Sequence, residues 1–350
     1  MTDSMMALVY KGRGELRLEK RPVPVLQDDR DAVVLVTLST ICTSDLHILR
    51  GAVPRARPDT VLGHEFVGEV VRVGPGVRNL RPGDRVAANC ISFCGDCWFC
   101  RHGYINNCER GGWELGCRID GCQAEYVRVP FADMGLTRIP EGVTDRQALL
   151  LGDILSSGYF GAGLCEIRPG DTVAVLGAGP VGVCAMLCAR LFGASRILCV
   201  EPDSYRLSLA KRRGICDDAL LPSHGLEDTV RALTGGRGAD AVIEAAGGAD
   251  TLEIAWRIAR PNAVVALVAM YEQEQILPLP SMYGKNLTFK TGGVDAVHCD
   301  RLMKLIAAGR LDASFLLTHQ GPLNRIQEGY RVFEEKRDGC MKWAVTPYER

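Results

Sequence analysis

Residues 171–194, "DTVAVLGAGPVGVCAMLCARLFGA", restrict the fold more than any other segment, because three glycines separate an apolar run from an amphipathic one. Gly177, Gly179 and Gly182 have the spacing G-x-G-x-x-G, and the flanking patterns predict a strand before the turn and a helix after it. The first glycine permits a tight turn, the second lets backbone approach a pyrophosphate, and the third lets the helix pack on the strand. The segment predicts a dinucleotide-binding turn; the alternative is a tight turn without nucleotide.

The same alternation continues along the chain. The segments "SRILCVEPD" and "SYRLSLAKRRG" predict a second strand and a second helix, with Gly214 as the helix cap. Two further strands are predicted in "GADAVIEAAGG" and "NAVVALVAM". Strands that alternate with helices are typical of a doubly wound parallel sheet, so the fold class is α/β.

The first 150 residues have a different character. "AVVLVTLST" and "FVGEVVRV" are rich in β-branched residues, and turns containing Gly or Pro follow them. This pattern predicts a β-rich domain. A chain of 350 residues exceeds the size of one ordinary core, so two domains are expected.

The overall composition argues against two classes of protein, those that bind nucleic acid over a basic surface and those that span a membrane. The chain is 47% hydrophobic and 24% charged, with a net charge of −1, which lacks the basic excess of a nucleic-acid-binding protein. The first twenty residues contain charged side chains at positions where a signal peptide needs apolar ones. The sequence has no run of about 18 uncharged apolar residues, so no membrane span is predicted. We therefore expect a cytoplasmic protein whose 15 cysteines are thiols and metal ligands.

An acidic residue lies nineteen positions beyond Gly182, at the end of the second predicted strand. This residue, Glu201, can accept hydrogen bonds from the adenosine ribose and would repel a 2′-phosphate, so the sequence favours NAD(H) over NADP(H). Arg206 is a ribose or phosphate contact that could tolerate some NADP(H), or a surface arginine. Pro180 and Val181 complete the predicted cofactor-binding stretch.

Four cysteines within residues 90–110 form the pattern C-x2-C-x2-C-x7-C. Four thiolates from one short loop suit a structural Zn²⁺, which is tetrahedral and needs no open position. Disulfides and an iron–sulfur cluster are the alternatives. The predicted ligands are Cys94, Cys97, Cys100 and Cys108, whereas Cys90 is expected to be a core residue.

Several of these motifs together resemble the zinc-dependent alcohol dehydrogenases of the medium-chain dehydrogenase/reductase superfamily. The resemblance is carried, in order along the chain, by "CTSDLH", "GHEFVGEVVRVGPGVRNLRPGDRV", the four-cysteine segment and "VLGAGPVG". It implies a GroES-like catalytic domain built from residues 1–154 and 293–350, with the four-cysteine lobe at 90–110. A Rossmann domain, residues 155–292, is inserted between the two parts.

The resemblance also assigns a catalytic zinc, so that two Zn²⁺ per subunit are expected. Cys42, His64 and Asp153 match its ligands; in many relatives the third is a cysteine, and aspartate there makes the donor set harder. Glu65 matches a glutamate that can ligate the metal transiently, the alternative being an ordinary ion-paired carboxylate. Three protein ligands would leave a fourth position open for substrate.

A proton relay is implied by the same resemblance. Ser44 would bond the substrate oxygen and pass its proton through the nicotinamide ribose to His47, which meets solvent. In an extended segment Ser44, two residues after Cys42, would face the metal side; a cap for Ser44 and a surface position for His47 are the alternatives. Asp45 would orient the ligating histidine.

The remaining site residues are inferred from alignment with the family. Val268 in "LVAM" and Gly292 and Gly293 in "TGGV" match backbone contacts to the nicotinamide carboxamide. The candidates to line the substrate pocket, each of which could equally be a core residue, are Trp113, Leu115 and Tyr159.

The predicted function is reversible hydride transfer between NAD(H) and an alcohol, with a secondary alcohol favoured, or its ketone or aldehyde. A polyol, threonine-type or hydroxysteroid dehydrogenase is the alternative within the family. A zinc-free quinone or enone reductase needs no metal, so the presence of Cys42, His64 and Asp153 argues against it. A non-catalytic nucleotide-binding protein is the alternative from another class. The resemblance implies a homodimer or homotetramer joined at sheet edges, through "ILPLPSMYGKNLTFKT".

Overall fold

The computed structural model describes residues 3–348, which divide into two compact units. The first unit extends to Ser156 and resumes at Asp295, and the second is Ser157–Val294. The chain therefore leaves the first unit once and returns to it.

Sixteen strands lie within the described residues. In chain order they are β1 Ser4–Gly12, β2 Glu15–Pro22, β3 Ala32–Thr40, β4 Thr60–Val61, β5 Phe66–Val73, β6 Arg85–Ala88, β7 Tyr126–Val129, β8 Leu136–Arg138, β9 Thr172–Leu176, β10 Arg196–Val200, β11 Asp218–Leu220, β12 Ala239–Glu244, β13 Ala259–Leu267, β14 Thr288–Thr291, β15 His319–Pro322 and β16 Trp343–Thr346.

The α-helices of the same residues are mostly short. They are α1 Thr43–Leu49, α2 Trp98–Arg101, α3 Ala132–Gly135, α4 Asp145–Ala148, α5 Ile154–Leu164, α6 Pro180–Phe192, α7 Ser204–Arg212, α8 Leu226–Leu233, α9 Thr251–Ile258, α10 Leu279–Met282, α11 Cys299–Ala307 and α12 Ile326–Glu334. Within residues 3–348, none of these helices has both the length and the apolar character needed to span a membrane.

The first unit is β-rich, as predicted. Its larger sheet has the order β15-β16-β3-β5-β6-β8, and β7 pairs with β3; its smaller sheet has the order β2-β1-β4. The strands predicted at 32–40 and 66–73 are confirmed as β3 and β5, which pair antiparallel. Their β-branched side chains, with Phe66 and Val86, form a hydrophobic cluster in this unit.

The second unit is a parallel sheet with the order β11-β10-β9-β12-β13-β14. This is the 3-2-1-4-5-6 order of the dinucleotide-binding fold, in which the chain reverses direction across the sheet at β9 and β12. The central strands are buried on both faces, so Ala174, Leu198, Val242 and Val265 belong to one core cluster. The predicted α/β fold is confirmed.

The glycine turn joins β9 to α6. Gly177 has φ 95°, a conformation that favours glycine, and a Cβ at Gly182 would lie 1.9 Å from the Gly177 carbonyl oxygen. Gly179 is the N-cap of α6 without a side-chain cap, and Pro180 occupies the first turn. The first and third glycines are therefore required by the backbone itself.

Candidate metal centre and nucleotide site

Helix α1 begins immediately after Cys42, which is its N-cap residue. Asp45 accepts a hydrogen bond from the Cys42 backbone N–H at Oδ2, 3.0 Å away, and completes a capping box. The expectation that Ser44 lies on an extended segment was wrong, because this cap starts a helix at Thr43. Ser44 nevertheless lies close to the ligand, with its Oγ 3.6 Å from Cys42 Sγ.

Four potential metal ligands converge inside the first unit. The donor atoms of Cys42, His64, Glu65 and Asp153 all lie within 4.8 Å of one another. The Cys42 thiol donates to Asp153 Oδ2 at 3.2 Å, and His64 Nε2 lies 3.3 Å from the same oxygen. The three predicted ligands and the alternate ligand are thus brought together from three separate segments of the chain.

The donor set suits a divalent cation. One sulfur, one imidazole nitrogen and carboxylate oxygens are ligands that Zn²⁺ accepts. Charge gives a second reason, since Asp45, Glu65 and Asp153 bring three buried carboxylates and Lys342 brings one buried ammonium group. The carboxylates outnumber this ammonium group, and even a protonated His64 would not balance all three; buried charges are costly unless paired or bound to metal. In addition, Glu65 Oε1 has no hydrogen-bond partner among the described residues.

His64 is held from its other side by Asp45. His64 Nδ1 lies 3.5 Å from Asp45 Oδ1, and Gln123 donates to Asp45 Oδ2 at 3.0 Å. Tyr330 of α12 in turn donates to Gln123 Oε1 at 2.8 Å. Burial lowers the pKa of His64, but hydrogen bonds to Asp153 and Asp45 outweigh burial and raise the pKa well above its ordinary value. The surroundings therefore attract positive charge, which a metal can supply while the imidazole stays neutral.

Glu65 is paired with a buried lysine. Lys342 is 1% exposed; its ammonium group donates to Glu65 Oε2 and, at 3.1 Å, to the Ile41 carbonyl. Burial raises the pKa of Glu65 to about 7, although the charge of Lys342 opposes that shift. The pKa of Lys342 is raised despite its burial, because Cys42, Glu65 and Asp153 surround it. Glu65 thus has an ion-pair partner beside the candidate metal ligands.

Sequence reasoning missed Lys342, Gln123 and Tyr330. A lysine inside the apolar run "CMKWAV" was a visible signal, since charge rarely enters such a run without a partner. Nothing in the sequence identified that partner, which is 277 residues away.

The two predicted relay residues share one helix. Ser44 and His47 are three residues apart in α1, a spacing that places side chains on the same helix face. His47 is buried, with 9% of its surface exposed, so the expectation that it meets solvent was wrong: the helix packs this face against the interior.

The predicted pocket residues have different surroundings. Trp113 packs edge-on against His64, with ring centroids 5.6 Å apart, and the Arg55 guanidinium lies 5.2 Å from the Trp113 ring. Leu115 is fully buried in the cluster that contains Phe66. Tyr159 lies in the second unit, where it packs against Phe192 at 4.9 Å. Trp113 is the one of the three that contacts a candidate metal ligand.

Four of the five cysteines of residues 90–110, Cys94, Cys97, Cys100 and Cys108, form a second cluster, with their sulfurs within 4.8 Å of one another. Cys94 Sγ and Cys100 Sγ are 3.9 Å apart, close to the ~3.8 Å expected for tetrahedral zinc with 2.3 Å bonds. The cysteines of residues 3–348 are all thiols. Backbone N–H groups of Cys100 and Glu109 lower the pKa of Cys97 to about 6, which favours a thiolate ligand. Cys90 is buried, as expected of a core residue.

The predicted nucleotide-binding residues follow the carboxyl ends of adjacent strands in the second unit. The glycine turn follows β9, Glu201 follows β10 and Val268 follows β13, while Gly292 and Gly293 follow β14. Open parallel sheets bind ligands at this edge, near the point where the strand order reverses. A Cβ at Gly179 would meet only Arg206 Nη1, at 3.6 Å, so the backbone there is open to a ligand.

Two buried carboxylates support this edge. Glu201 accepts hydrogen bonds from Ala178 N–H at 2.6 Å and Asp203 N–H at 2.9 Å. Glu244, which the sequence reasoning missed, ends β12 and accepts from the backbone N–H groups of Ala246 and Gly247, both at 2.8 Å. Glu201 is therefore fixed against the glycine turn, where a carboxylate can meet a ribose.

Comparison with known proteins agrees with this description. The family model "Alcohol dehydrogenase GroES-like domain" matches residues 28–141, and "Zinc-binding dehydrogenase" matches residues 180–299. An alcohol dehydrogenase of Cupriavidus necator is 38% identical, over 99% of this chain and 100% of that protein. An NADP-dependent isopropanol dehydrogenase of Thermoanaerobacter brockii is 34% identical, over 90% of this chain and 92% of its own length.

The solved structures include the alcohol dehydrogenase of Thermus sp. ATN1, with a TM-score of 0.89 and 38% identity over 98% of this chain and 99% of that one. The fold and the buried ligand cluster thus define a metal-dependent oxidoreductase with a dinucleotide-binding domain. The chain belongs to the zinc-dependent alcohol dehydrogenases of the medium-chain dehydrogenase/reductase superfamily.

The Glu65–Lys342 pair yields a test by mutagenesis. Lys342→Met should destabilise the protein by about 3–5 kcal/mol, because it leaves a buried carboxylate without its partner. Adding Glu65→Gln should recover most of that loss, since neither charge then remains. Urea unfolding measures both effects, with the exposed Lys304→Met as control. Glu65→Gln alone completes the cycle, and a loss in the double variant equal to the sum of the two single losses would show that the side chains are not coupled.

Proposed function

We propose that this chain catalyses reversible hydride transfer between NAD(H) and a secondary alcohol or its ketone, with Cys42, His64 and Asp153 holding the catalytic zinc. The observation that carries this proposal is the buried cluster of these three side chains with an excess of negative charge. A bound Zn²⁺ would supply Lewis acidity toward the substrate oxygen, and the dinucleotide would supply or accept the hydride. A second, structural Zn²⁺ belongs to the four-cysteine lobe.

The protein residues around the metal divide the remaining work. Asp45 fixes the ring of His64, so that Nε2 faces the cluster, and Gln123 and Tyr330 fix Asp45. Lys342 compensates the charge of Glu65 and holds one of its oxygens. The other oxygen, Oε1, is left for transient contact with the metal.

The residues proposed to transfer the proton, Ser44 and His47, both lie in α1. Ser44 Oγ, which lies beside Cys42, accepts a hydrogen bond from the substrate hydroxyl and directs its proton away from the metal. His47, on the same helix face, takes up the proton at a ring nitrogen.

For the coenzyme, we infer a preference for NAD(H). Glu201 presents a buried carboxylate beside the glycine turn, which favours ribose hydroxyls and disfavours a 2′-phosphate. Arg206, close to Gly179, is suited to contact the pyrophosphate. Val268, Gly292 and Gly293 offer backbone groups to the carboxamide.

The substrate site is proposed to be bounded by Trp113, whose ring lies against His64 and provides an apolar wall beside the metal. Such a wall suits a small secondary alcohol better than a polyol, which would need polar partners. The relative from Thermoanaerobacter brockii is named for isopropanol, in line with this size. The abundance of thiols favours a reducing, cytoplasmic setting.

Loss of one ligand should separate the two metal sites. We expect Asp153→Ala to abolish alcohol oxidation and to reduce the zinc content from two ions per chain to one, because two protein ligands do not retain the metal. Cys108→Ser, in the lobe, should also remove one zinc, but a different one. Elemental analysis of both variants and of the double variant measures this. Two zincs retained in Asp153→Ala with full turnover would refute the ligand assignment.

The coenzyme assignment predicts an asymmetric effect. Glu201→Ala should weaken NADH binding roughly tenfold, because a hydrogen bond to the ribose is lost. NADPH binding should change little, because the repulsion of its 2′-phosphate is lost as well. Glu201→Gln keeps an acceptor for the Ala178 N–H and controls for damage to the turn. Titration of the coenzymes' fluorescence gives both dissociation constants. Equal weakening of NADH and NADPH would exclude the ribose role.

We further propose that two copies associate through β14, as a homodimer or as dimers within a homotetramer. Among the described residues β14 is the last strand of its sheet, so one row of its backbone groups lacks a neighbouring strand. Beside it lies an apolar cavity of about 500 Å³ lined in part by Leu277, Leu279 and Phe289. Tyr283, at 92% exposed, is the most open large side chain there.

This proposal predicts that the double variant Leu279→Asp/Tyr283→Asp lowers the oligomeric state, because two buried carboxylates per subunit would oppose association. Light scattering coupled to size-exclusion chromatography gives the mass. Val25→Asp, an exposed apolar position in the first unit, serves as the control. An unchanged mass in the double variant would move the interface elsewhere.

A further inference from the structure

The second unit contains a basic cavity at the amino ends of β12 and β13. Its volume is about 530 Å³, and five cationic side chains line it: Arg231, Arg237, Arg257, Arg260 and Lys285. We propose that this cavity binds a small, multiply charged anion of the phosphate type. The inference goes beyond the proposed oxidoreductase activity and does not depend on it.

The local backbone explains why these cations converge. Arg231 and Arg257 lie in the last turns of α8 and α9, and both helices end beside the cavity. The pairing of β12 with β13 shifts from Ala239–Ala259 to Ala241–Val264, so β13 has three extra residues. This bulge, residues 260–263, carries Arg260 out of the regular sheet.

Neighbouring carboxylates offset only part of this charge. Arg231 pairs with Glu227 and Arg257 with Glu253, both at 2.8 Å, in ion pairs that are substantially exposed. Arg260 pairs with Asp240 at 2.7 Å. Exposed pairs contribute little to stability, so their guanidinium groups can turn toward a ligand at low cost.

Two cations have no carboxylate of their own. Lys285 donates to the carbonyls of Trp256 and Arg257, at 2.8 and 2.7 Å. The third N–H of its ammonium group can therefore donate to a ligand. Arg237 is exposed on the turn before β12, and no carboxylate of the described residues pairs with it. The cavity therefore has two cations in excess of its acidic partners.

The electrostatic state of Lys285 agrees with an unbalanced site. Burial lowers its pKa, and the charges of Arg231 and Arg257 lower it further, against the opposing charge of Glu227. A multivalent anion would relieve this repulsion. Phosphate oxygens suit both arginine forks and a lysine ammonium group.

The helix carboxyl ends offer the plainer explanation for part of the cluster. Cations near the last turn of a helix complement its dipole, and Lys285 caps two carbonyls of α9. That role accounts for Arg231, Arg257 and Lys285, but it does not require Arg237 or Arg260 to line the same cavity. Ligand binding accounts for all five.

This cavity is separate from the nucleotide-binding edge. It adjoins Gly238 and Ala259, where β12 and β13 begin, whereas the glycine turn follows the end of the parallel strand β9. Six residues of β12 separate the two edges of the sheet by on the order of 20 Å. A dinucleotide at the glycine turn and an anion in the cavity can therefore bind together.

Calorimetric titration of NADH-saturated protein with pyrophosphate tests the proposal, because the coenzyme blocks the glycine turn as a competing phosphate site. We expect binding at one site per chain that Arg237→Gln weakens roughly tenfold or more through loss of a charge-assisted hydrogen bond. Arg212→Gln, an exposed arginine of α7 outside the cavity, should leave the affinity unchanged. Glucose 6-phosphate in place of pyrophosphate distinguishes a phosphate ester from an inorganic phosphate.

Lys285→Gln provides a second variant, and NADH fluorescence shows that its nucleotide-binding unit is folded. Weakened pyrophosphate binding with intact NADH binding would support the proposal. Heats no larger than those of sodium sulfate at equal ionic strength would overturn it, as would an affinity unchanged in both Arg237→Gln and Lys285→Gln. Failure of NADH to saturate the protein would count against the proposed coenzyme. The calorimetric titration with pyrophosphate would then be carried out on protein without NADH, with the same comparison of variants.

Discussion

The structure depends on balancing the negative charge of the carboxylates that are buried beside Cys42. Asp45, Glu65 and Asp153 place three carboxylates in the interior, and only Lys342 brings a fixed positive charge. Burying unpaired charge costs several kcal/mol per group, so binding of the proposed metal would be linked to folding at this site. The three carboxylates have different partners. Asp45 accepts hydrogen bonds from the Cys42 backbone N–H and from Gln123, and its other oxygen lies 3.5 Å from His64. Glu65 pairs with Lys342, and Asp153 faces the cysteine and the imidazole.

The two units bring their candidate site residues together in different ways. In the first, an antiparallel framework and a helix cap hold side chains that are distant in sequence around one small volume. In the second, a parallel sheet brings the carboxyl ends of its strands to one edge, where backbone N–H groups and two buried glutamates form a polar rim. Hydride transfer requires both a polarised substrate oxygen and an oriented dinucleotide; under the proposed function, the first unit would supply the former and the second unit the latter.

Local patterns made much of this architecture predictable. The glycine spacing places a strand before the turn and a helix after it because the backbone itself demands glycine at Gly177 and Gly182. Four cysteines in one loop need no tertiary information to meet. The helical position of Ser44 was not predicted, since a capping box at Cys42 and Asp45 overrides the extended reading. Lys342 was not predicted either, because its partner is 277 residues away and only the folded sheet joins them.

The most direct test is an anomalous difference map at the zinc absorption edge, from crystals of catalytically active protein. The account predicts two peaks per chain: one equidistant from the four sulfurs of the lobe, and one bonded to Cys42, His64 and Asp153. Active protein with a peak in the lobe alone, and with those three side chains bonded only to one another, would contradict the metal centre on which the proposed function depends.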